Sequence, residues 1–162
     1  MNKILFLDRD GVINREIGNY ITHPDYFELN PAIAPIISKA KELGYKVIVV
    51  TNQGGIGKGL YTHEILKSIH QKMQKGLAAL GVSVDEIYYC PHHPDHDGYC
   101  MCRKPGSLML EKALAKHKAN AAQSIMIGDT PRDMEAAAAV GVRGVLVEAN
   151  ELASLAMELF GQ

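Results

Sequence analysis

The 162-residue sequence has little net charge, no long apolar run and few cysteines, and each shortage argues against a class of protein. Its charges nearly cancel, since Lys and Arg total 17 while Asp and Glu total 18. A chain with no positive excess has no basic field to hold nucleic acid through its phosphates. No apolar run approaches the ~20 residues of a membrane span, and the run before Asp8 is too short for the core of a signal peptide. The composition therefore predicts a soluble cytoplasmic protein without nucleic-acid or membrane partners.

Cysteine is also scarce, and its three copies lie close together at Cys90, Cys100 and Cys102. An odd number of cysteines in one loop argues against a disulfide framework, and a reducing cytoplasm leaves thiols free to bind metal. With a neighbouring histidine they would form a Cys₃His set, which is the closed, structural type of zinc site. His92, two residues after Cys90, is the favoured ligand, and His93 is the alternative. Residues 90–102 are therefore either a metal-binding loop or a chance grouping of these residues, and the neighbouring motifs decide between the two.

Segments typical of strands and helices alternate along the rest of the chain. The strand-like runs are mostly apolar and cover residues 4–7, 46–50, 86–89, 124–127 and 144–147. Helical spacing of apolar residues, which includes Leu43 and Leu80, covers residues 31–44, 62–80, 108–117, 131–141 and 151–160. There is no linker or repeat, so we expect one α/β domain over residues 1–162, with a Rossmann-like parallel sheet and helices on both faces. A chain of this size without an obvious apolar patch is expected to be a monomer.

Polar residues follow each of the first four predicted strands, as Asp8 to Gly11, Thr51 to Gly55, the cysteine loop, and Gly128 to Thr130. In parallel sheets, ligands bind beyond the carboxyl ends of the strands. Asp8 and Asp10 are close enough to repel unless a proton or a cation lies between them. With Asp129 they would form an oxygen-rich site suited to Mg²⁺. Taken singly, the Asp-x-Asp segment could be a solvated turn and Gly-Asp a helix cap, but all four strand ends together favour a functional site.

These strand ends resemble the motifs of a known superfamily. FLDRDGVI, VVTNQ, Lys104 and GDTPRD are similar, in this order, to the four motifs of the haloacid dehalogenase-like phosphatases, and the resemblance runs from Ile4 to about Val147. The chain is most similar to the subgroup that acts on D-glycero-D-manno-heptose 1,7-bisphosphate or on histidinol phosphate. That subgroup shares DRDG, TNQ and a Cys-Pro-His loop followed by Cys-x-Cys-Arg-Lys-Pro, and the resemblance implies a zinc-binding loop at residues 90–102 with the ligands Cys90, His92, Cys100 and Cys102. The fold implied is of the haloacid dehalogenase type, and residues 12–30 are too few for a large cap domain.

The resemblance implies a Mg²⁺-dependent phosphomonoester hydrolase that forms an aspartyl-phosphate. Asp8 would attack phosphorus, and Asp10 would protonate the leaving group and later deprotonate water. Asp8, Asp129 and the main-chain carbonyl of Asp10 would hold the metal. Thr51 and Lys104 would bind the phosphate oxygens.

The remaining site residues follow from the same resemblance. Arg103 would bind a second anionic group of the substrate, and Asp133 would orient the site from behind. Further substrate contacts are expected from Arg9, Asn52, Gln53, Gly54, Arg103, Lys104 and Thr130. Thr130 stands where relatives often carry Lys or Arg, which leaves the contact of that residue open.

The substrate expected is a sugar bisphosphate, D-glycero-D-manno-heptose 1,7-bisphosphate, which would lose its 7-phosphate. Arg103, Lys58 and Arg15 are cations that suit a second phosphate. A histidinol-phosphate phosphatase is the alternative, because the loop between His92 and Cys100 is short, as in that branch. Another small phosphomonoester is the remaining candidate substrate. A zinc-knuckle binding module without turnover is a third interpretation, which the near-zero net charge disfavours.

Overall fold

In residues 1–161, the part of the chain that the computed structural model describes, parallel strands alternate with helices. The strands are β1 (Lys3–Leu7), β2 (Tyr45–Asn52), β3 (Glu86–Cys90), β4 (Ile125–Gly128) and β5 (Arg143–Leu146). They form a sheet in the order β3-β2-β1-β4-β5, with every pair parallel. The helices are α1 (Ile33–Glu42), α2 (His63–Ala79), α3 (Pro94–Asp97), α4 (Leu108–Lys116), α5 (Pro131–Ala139) and α6 (Leu155–Phe160). The predicted fold class is confirmed.

The central strand β1 is apolar from Ile4 to Leu7, as expected of a strand whose two faces are both covered. Leu5 and Leu7 belong to a buried cluster with residues of α1, α2 and α6. Ile4 and Phe6 belong to a second cluster with residues of α4 and α5. All four side chains are fully buried. Helices therefore cover both faces, as predicted, and β1 presents its carboxyl end in the middle of the sheet.

The ends of several elements differ from the prediction. Leu43 and Leu80 were expected on the buried faces of their helices but are 42% and 45% exposed, because each lies at the C-cap beyond the last turn. Strand β2 runs through Thr51 and Asn52, since these residues pair with β3. Helix α6 begins at Leu155, four residues later than expected. Helix α2 begins as predicted, with the Ile65 N–H donating to the Thr62 hydroxyl at 3.2 Å.

The segment between β1 and α1 is short and mostly irregular. It contains a 3₁₀ turn at Pro24–Tyr26 and isolated bridges at Asn14. No large cap domain covers the sheet edge within residues 1–161, so the edge is open to small molecules. None of the helices in this range is long and apolar enough to cross a membrane.

Candidate active site

A cleft of about 380 Å³ opens at the carboxyl ends of β1, β2 and β4. Nine of the predicted site residues line it: Asp8, Asp10, Asn52, Gly54, Arg103, Lys104, Asp129, Thr130 and Asp133. The sequence analysis missed five others: Glu16, Gly18, Asn19, Tyr20 and Arg132. Four of these five lie in the irregular segment after β1, where no periodic pattern indicates which side chains face the site.

Lys104 lies buried between two carboxylates at the floor of the cleft. Its Nζ donates to Asp8 Oδ1 at 3.0 Å, to Asp133 Oδ1 at 2.6 Å and to the Val50 carbonyl at 2.8 Å. Burial lowers the pKa of Lys104, but Asp8 and Asp133 outweigh burial and raise the pKa above its ordinary value. Lys104 is therefore a fixed positive charge beside Asp8.

Asp8 occupies an environment that disfavours its negative charge. Burial raises the pKa of Asp8 well above its ordinary value, the Lys104 charge opposes this rise, and the neighbouring carboxylates add to it. Asp8, Asp129 and Asp133 each offer a carboxylate oxygen within 4.8 Å of the others. A divalent cation would relieve this repulsion, because carboxylates are hard oxygen ligands of the kind Mg²⁺ prefers.

Gly11 lets Asp129 reach this cluster from β4. A Cβ on Gly11 would lie 2.2 Å from Asp129 Oδ2, and the glycine φ is +88°. The glycine of the Asp-Arg-Asp-Gly sequence is therefore required both by the turn and by the close approach of the carboxylate. The residues present fit a magnesium ion, since Asp129 is held against the turn that carries Asp8 and the Asp10 carbonyl.

Asp10 lies beside this cluster and is held by donors. Arg9 donates to Asp10 Oδ1 through Nε at 3.2 Å and Nη2 at 2.7 Å, and Asn14 Nδ2 donates to the same oxygen at 2.9 Å. Gln53 Nε2 donates to Oδ2 at 3.2 Å. Burial raises the pKa of Asp10, but the Arg9 charge and these hydrogen bonds outweigh burial and lower the pKa below its ordinary value.

Three residues predicted to contact substrate or phosphate lie outside the cleft lining. Arg9, Thr51 and Gln53 are 0%, 1% and 2% exposed. Arg9 turns inward because Asp10 and His70 bind its guanidinium. Gln53 turns inward because its side chain donates to Asp10 and to the Thr51 hydroxyl. Both side chains bind Asp10, and their contact with a substrate stays a prediction.

The cysteine loop forms a compact cluster of ligand atoms. Its members are Cys90, His92, Cys100 and Cys102, all within 4.8 Å of one another. Cys100 Sγ lies 3.7 Å from Cys90 Sγ and 3.8 Å from Cys102 Sγ. These distances match the edge of about 3.8 Å expected for a tetrahedron with Zn–S bonds of ~2.3 Å. The Cys90 and Cys102 sulfurs are closer, at 2.7 Å. The set fits a structural zinc ion in ligand type and number.

His92, the favoured histidine, is the one in this cluster. Its Nδ1 lies 3.4 Å from Cys90 Sγ and 3.3 Å from Cys102 Sγ. His93 points elsewhere, where its Nδ1 accepts from the Asp95 N–H at 3.2 Å as the cap of α3. The same loop reaches the cleft, because Arg103 Nη1 donates to the His92 carbonyl at 3.4 Å. The orientation of Arg103 thus depends on the cysteine cluster.

The structure combines a parallel sheet, paired aspartates at the end of its central strand, a buried lysine beside them and a further aspartate at the end of β4. This is the arrangement of a haloacid dehalogenase-like hydrolase. A family model described as HAD-hydrolase-like matches residues 101–157.

Two curated relatives are similar in sequence to this chain over most of its length. D-glycero-beta-D-manno-heptose-1,7-bisphosphate 7-phosphatase of Helicobacter pylori is 42% identical over 134 residues, which cover 82% of this chain and 76% of the relative. The protein of the same name from Haemophilus influenzae is 39% identical over 140 residues, which cover 84% and 76%.

A solved structure agrees with these relatives. D,D-heptose 1,7-bisphosphate phosphatase from B. bronchiseptica, crystallised with magnesium and phosphate, has a TM-score of 0.86 to this chain at 33% identity, and the match covers 97% of each chain. The chain therefore belongs to this family of haloacid dehalogenase-like phosphatases, which are phosphoric monoester hydrolases.

Proposed function

We propose that this phosphatase removes the 7-phosphate of D-glycero-D-manno-heptose 1,7-bisphosphate through an aspartyl-phosphate on Asp8. The observation that carries this proposal is the Asp8 carboxylate at the cleft floor, with the Lys104 ammonium 3.0 Å from it. A fixed cation there would bind the phosphate oxygens while Asp8 Oδ attacks phosphorus in line. The names of the relatives from H. pylori and H. influenzae support the choice of substrate.

Asp10 would act as general acid and then as general base. In the first step it would give a proton to the leaving sugar oxygen, and in the second it would take one from the water that attacks the aspartyl-phosphate. Its carboxylate lines the same cleft as Asp8, and four hydrogen bonds hold it there. We also propose that Thr51, near the end of β2, binds phosphate oxygens through its hydroxyl or its main chain.

Magnesium is proposed at Asp8, Asp129 and the Asp10 carbonyl. The crowding of carboxylates around Asp8 and the space that Gly11 leaves for Asp129 support this site. When bound, the ion would offset the negative charges of phosphate and nucleophile. Asp133 would keep its place behind the site, where it accepts from Lys104 Nζ at 2.6 Å and from the Thr130 hydroxyl at 3.0 Å.

Zinc is proposed at Cys90, His92, Cys100 and Cys102. The ion would hold the loop and not take part in the reaction, because four protein ligands leave no open position. Its effect on function would come through Arg103, which binds the carbonyl of His92.

The second phosphate of the substrate would meet two arginines. Arg103 and Arg132 both line the cleft, and a guanidinium suits phosphate oxygens because it donates in parallel. Thr130 donates two hydrogen bonds to Asp133, through its backbone N–H and its hydroxyl. It therefore does not supply the positive charge that a basic residue of relatives would bring to this position. Arg132, two residues later, supplies a charge on this part of the cleft. This pair of cations favours a bisphosphate over histidinol phosphate, which remains the alternative.

A monomeric state and a cytoplasmic location remain predictions from composition.

Phosphate release tests the proposal. The zinc-loaded protein with Mg²⁺ should release one phosphate per heptose bisphosphate and act much more slowly on L-histidinol phosphate; the opposite preference would overturn the substrate assignment. Asp8→Asn should lower release by at least about 1,000-fold, because the covalent nucleophile is lost. Asp25→Asn, a change at an exposed aspartate outside the cleft, is the matched control and should retain full activity. Activity that survives Asp8→Asn would contradict the aspartyl-phosphate mechanism.

A further inference from the structure

Helix α2 carries a buried histidine that contacts the site from behind. His70 is 8% exposed, and its Nε2 lies 3.3 Å from Arg9 Nη1. A guanidinium only donates hydrogen bonds, so His70 Nε2 must accept, which requires a neutral imidazole with its proton on Nδ1. Burial first and the Arg9 charge second lower the pKa of His70 to about 3, in agreement with the neutral form. The predicted apolar stripe of α2 did not reveal this residue.

The rest of the Arg9 guanidinium is directed at one oxygen of Asp10. Nε and Nη2 donate to Oδ1 at 3.2 and 2.7 Å, and Asn14 Nδ2 adds a third donor at 2.9 Å. Oδ2 accepts a single hydrogen bond within the described chain, from Gln53 Nε2 at 3.2 Å. An oxygen surrounded by three donors has no free lone pair for a proton. A proton on Asp10 therefore has room only on Oδ2.

We propose that His70 is a positioning residue for proton transfer, which fixes Arg9 so that Oδ1 of Asp10 is occupied and Oδ2 handles the proton. The inference rests on the proposed function, because it concerns the acid and base role of Asp10. As the bond between phosphorus and the leaving oxygen breaks, its electron pair stays on that oxygen. The Oδ2 proton passes to the same oxygen, phosphorus is then bonded to Asp8, and Asp10 is left as a carboxylate with Arg9 still bound to Oδ1.

Gln53 donates a hydrogen bond to Asp10 Oδ2 but leaves room for a proton on that oxygen. Its side-chain carbonyl accepts from the Tyr61 hydroxyl, and its Nε2 also donates to Thr51 Oγ1 at 2.9 Å. Gln53 Nε2 therefore donates to two acceptors, and its 3.2 Å contact with Asp10 is longer than two of the three contacts to Oδ1. The asymmetry between the two carboxylate oxygens is built by the side chains behind the cleft, with His70 at the far end.

The leaving group of the substrate makes this role measurable. A sugar alkoxide needs a proton as it leaves, whereas p-nitrophenolate leaves well without one. General acid catalysis supplies about 10²–10⁴-fold, so a partial loss of alignment should lower kcat/KM for heptose bisphosphate, which reports the step that forms the aspartyl-phosphate, by about 10-fold or more in His70→Leu and His70→Asn. For p-nitrophenyl phosphate the loss of kcat/KM should stay below about 3-fold, because the later attack of water does not enter this constant.

His70→Gln is the rescuing variant, because its terminal amide can place an acceptor where Nε2 lies. It should recover most of kcat/KM on heptose bisphosphate, whereas His70→Asn, equally polar but too short to reach Arg9, should not. Met73→Leu changes another buried residue of α2 and controls for repacking of the helix; it should slow both substrates equally or not at all. Loss of the same size on both substrates in the His70 variants, or no rescue by Gln, would overturn the inference. Failure of the wild-type protein to release phosphate in an Asp8-dependent manner would instead overturn the proposed function.

Discussion

Asn52 and Lys104, which are 52 positions apart in the sequence, exchange two hydrogen bonds. The Lys104 N–H donates to Asn52 Oδ1 at 2.9 Å, and Asn52 Nδ2 donates to the Lys104 carbonyl at 3.0 Å. The end of β2 thereby fixes the backbone of the residue whose Nζ reaches Asp8. One asparagine ties the loop after the cysteine cluster to the central sheet.

Replacement of Asn52 tests whether its two hydrogen bonds hold the Lys104 backbone against the sheet. Asn52→Leu should lower the free energy of unfolding by about 1–3 kcal/mol, because two partly buried backbone groups lose their partners. It should also lower kcat, since Lys104 is no longer held beside Asp8. Urea unfolding and phosphate release measure the two effects. Asn2→Leu, which removes an exposed hydrogen bond to His117, is the control and should cost less than about 1 kcal/mol. Equal stability of the two variants would contradict the expectation.

Gly11 and Gly44 form a matched pair for testing the magnesium site. Their φ angles are +88° and +89°, but a Cβ on Gly44 meets nothing within 4 Å, whereas one on Gly11 collides with Asp129. Both alanine variants should lose about 1–2 kcal/mol from backbone strain. Only Gly11→Ala should also raise the Mg²⁺ concentration for half-maximal activity, by about 10-fold. An unchanged magnesium requirement in Gly11→Ala would show that Asp129 is not a ligand.

His70 should make stability depend on pH. The unfolded chain binds a proton at the ordinary pKa of 6.5, whereas the folded chain binds it only near a pKa of about 3. The contribution is therefore complete above pH 6.5 and is lost as pH falls toward 3, with a slope of up to about 1.4 kcal/mol per pH unit. Urea unfolding between pH 4 and pH 7 should show a shallower slope in His70→Gln. His63→Gln, at the exposed start of the same helix, should keep the wild-type slope. Parallel curves for His70→Gln and the wild type would rule out a buried neutral histidine.

Removal of zinc should act on both stability and substrate binding. Cys100→Ser should reduce the zinc content, lower Tm by about 5 °C or more, and raise KM for heptose bisphosphate because Arg103 loses its fixed partner. His96→Ala changes an exposed, non-clustered residue of the same loop and should leave zinc content and Tm as in the wild type. Metal analysis and thermal unfolding provide the measurements. A wild-type protein purified without zinc, yet with unchanged Tm after zinc addition, would contradict the proposed site.

Much of the fold follows from local pattern. Residues 4–7 and 47–50 are apolar without interruption, a pattern typical of strands buried on both faces. The polar ends of these strands also predicted where the cleft lies, because parallel strands bring their carboxyl ends to one edge. The helix ends were less well predicted, as Leu43 and Leu80 show, since the apolar spacing continued past the last turn that packs.

The sequence by itself determined the alternating α/β architecture, the carboxylates at the strand ends and the grouping of cysteines with a histidine. These are properties of neighbouring residues and short spacings. Only the tertiary structure decided that Arg9 turns inward to His70 and Asp10, and that Arg132 lines the cleft. It also showed which histidine joins the cysteines. Such choices depend on contacts between segments far apart in the chain, where burial and hydrogen-bond partners, and not local propensity, determine the direction of each side chain.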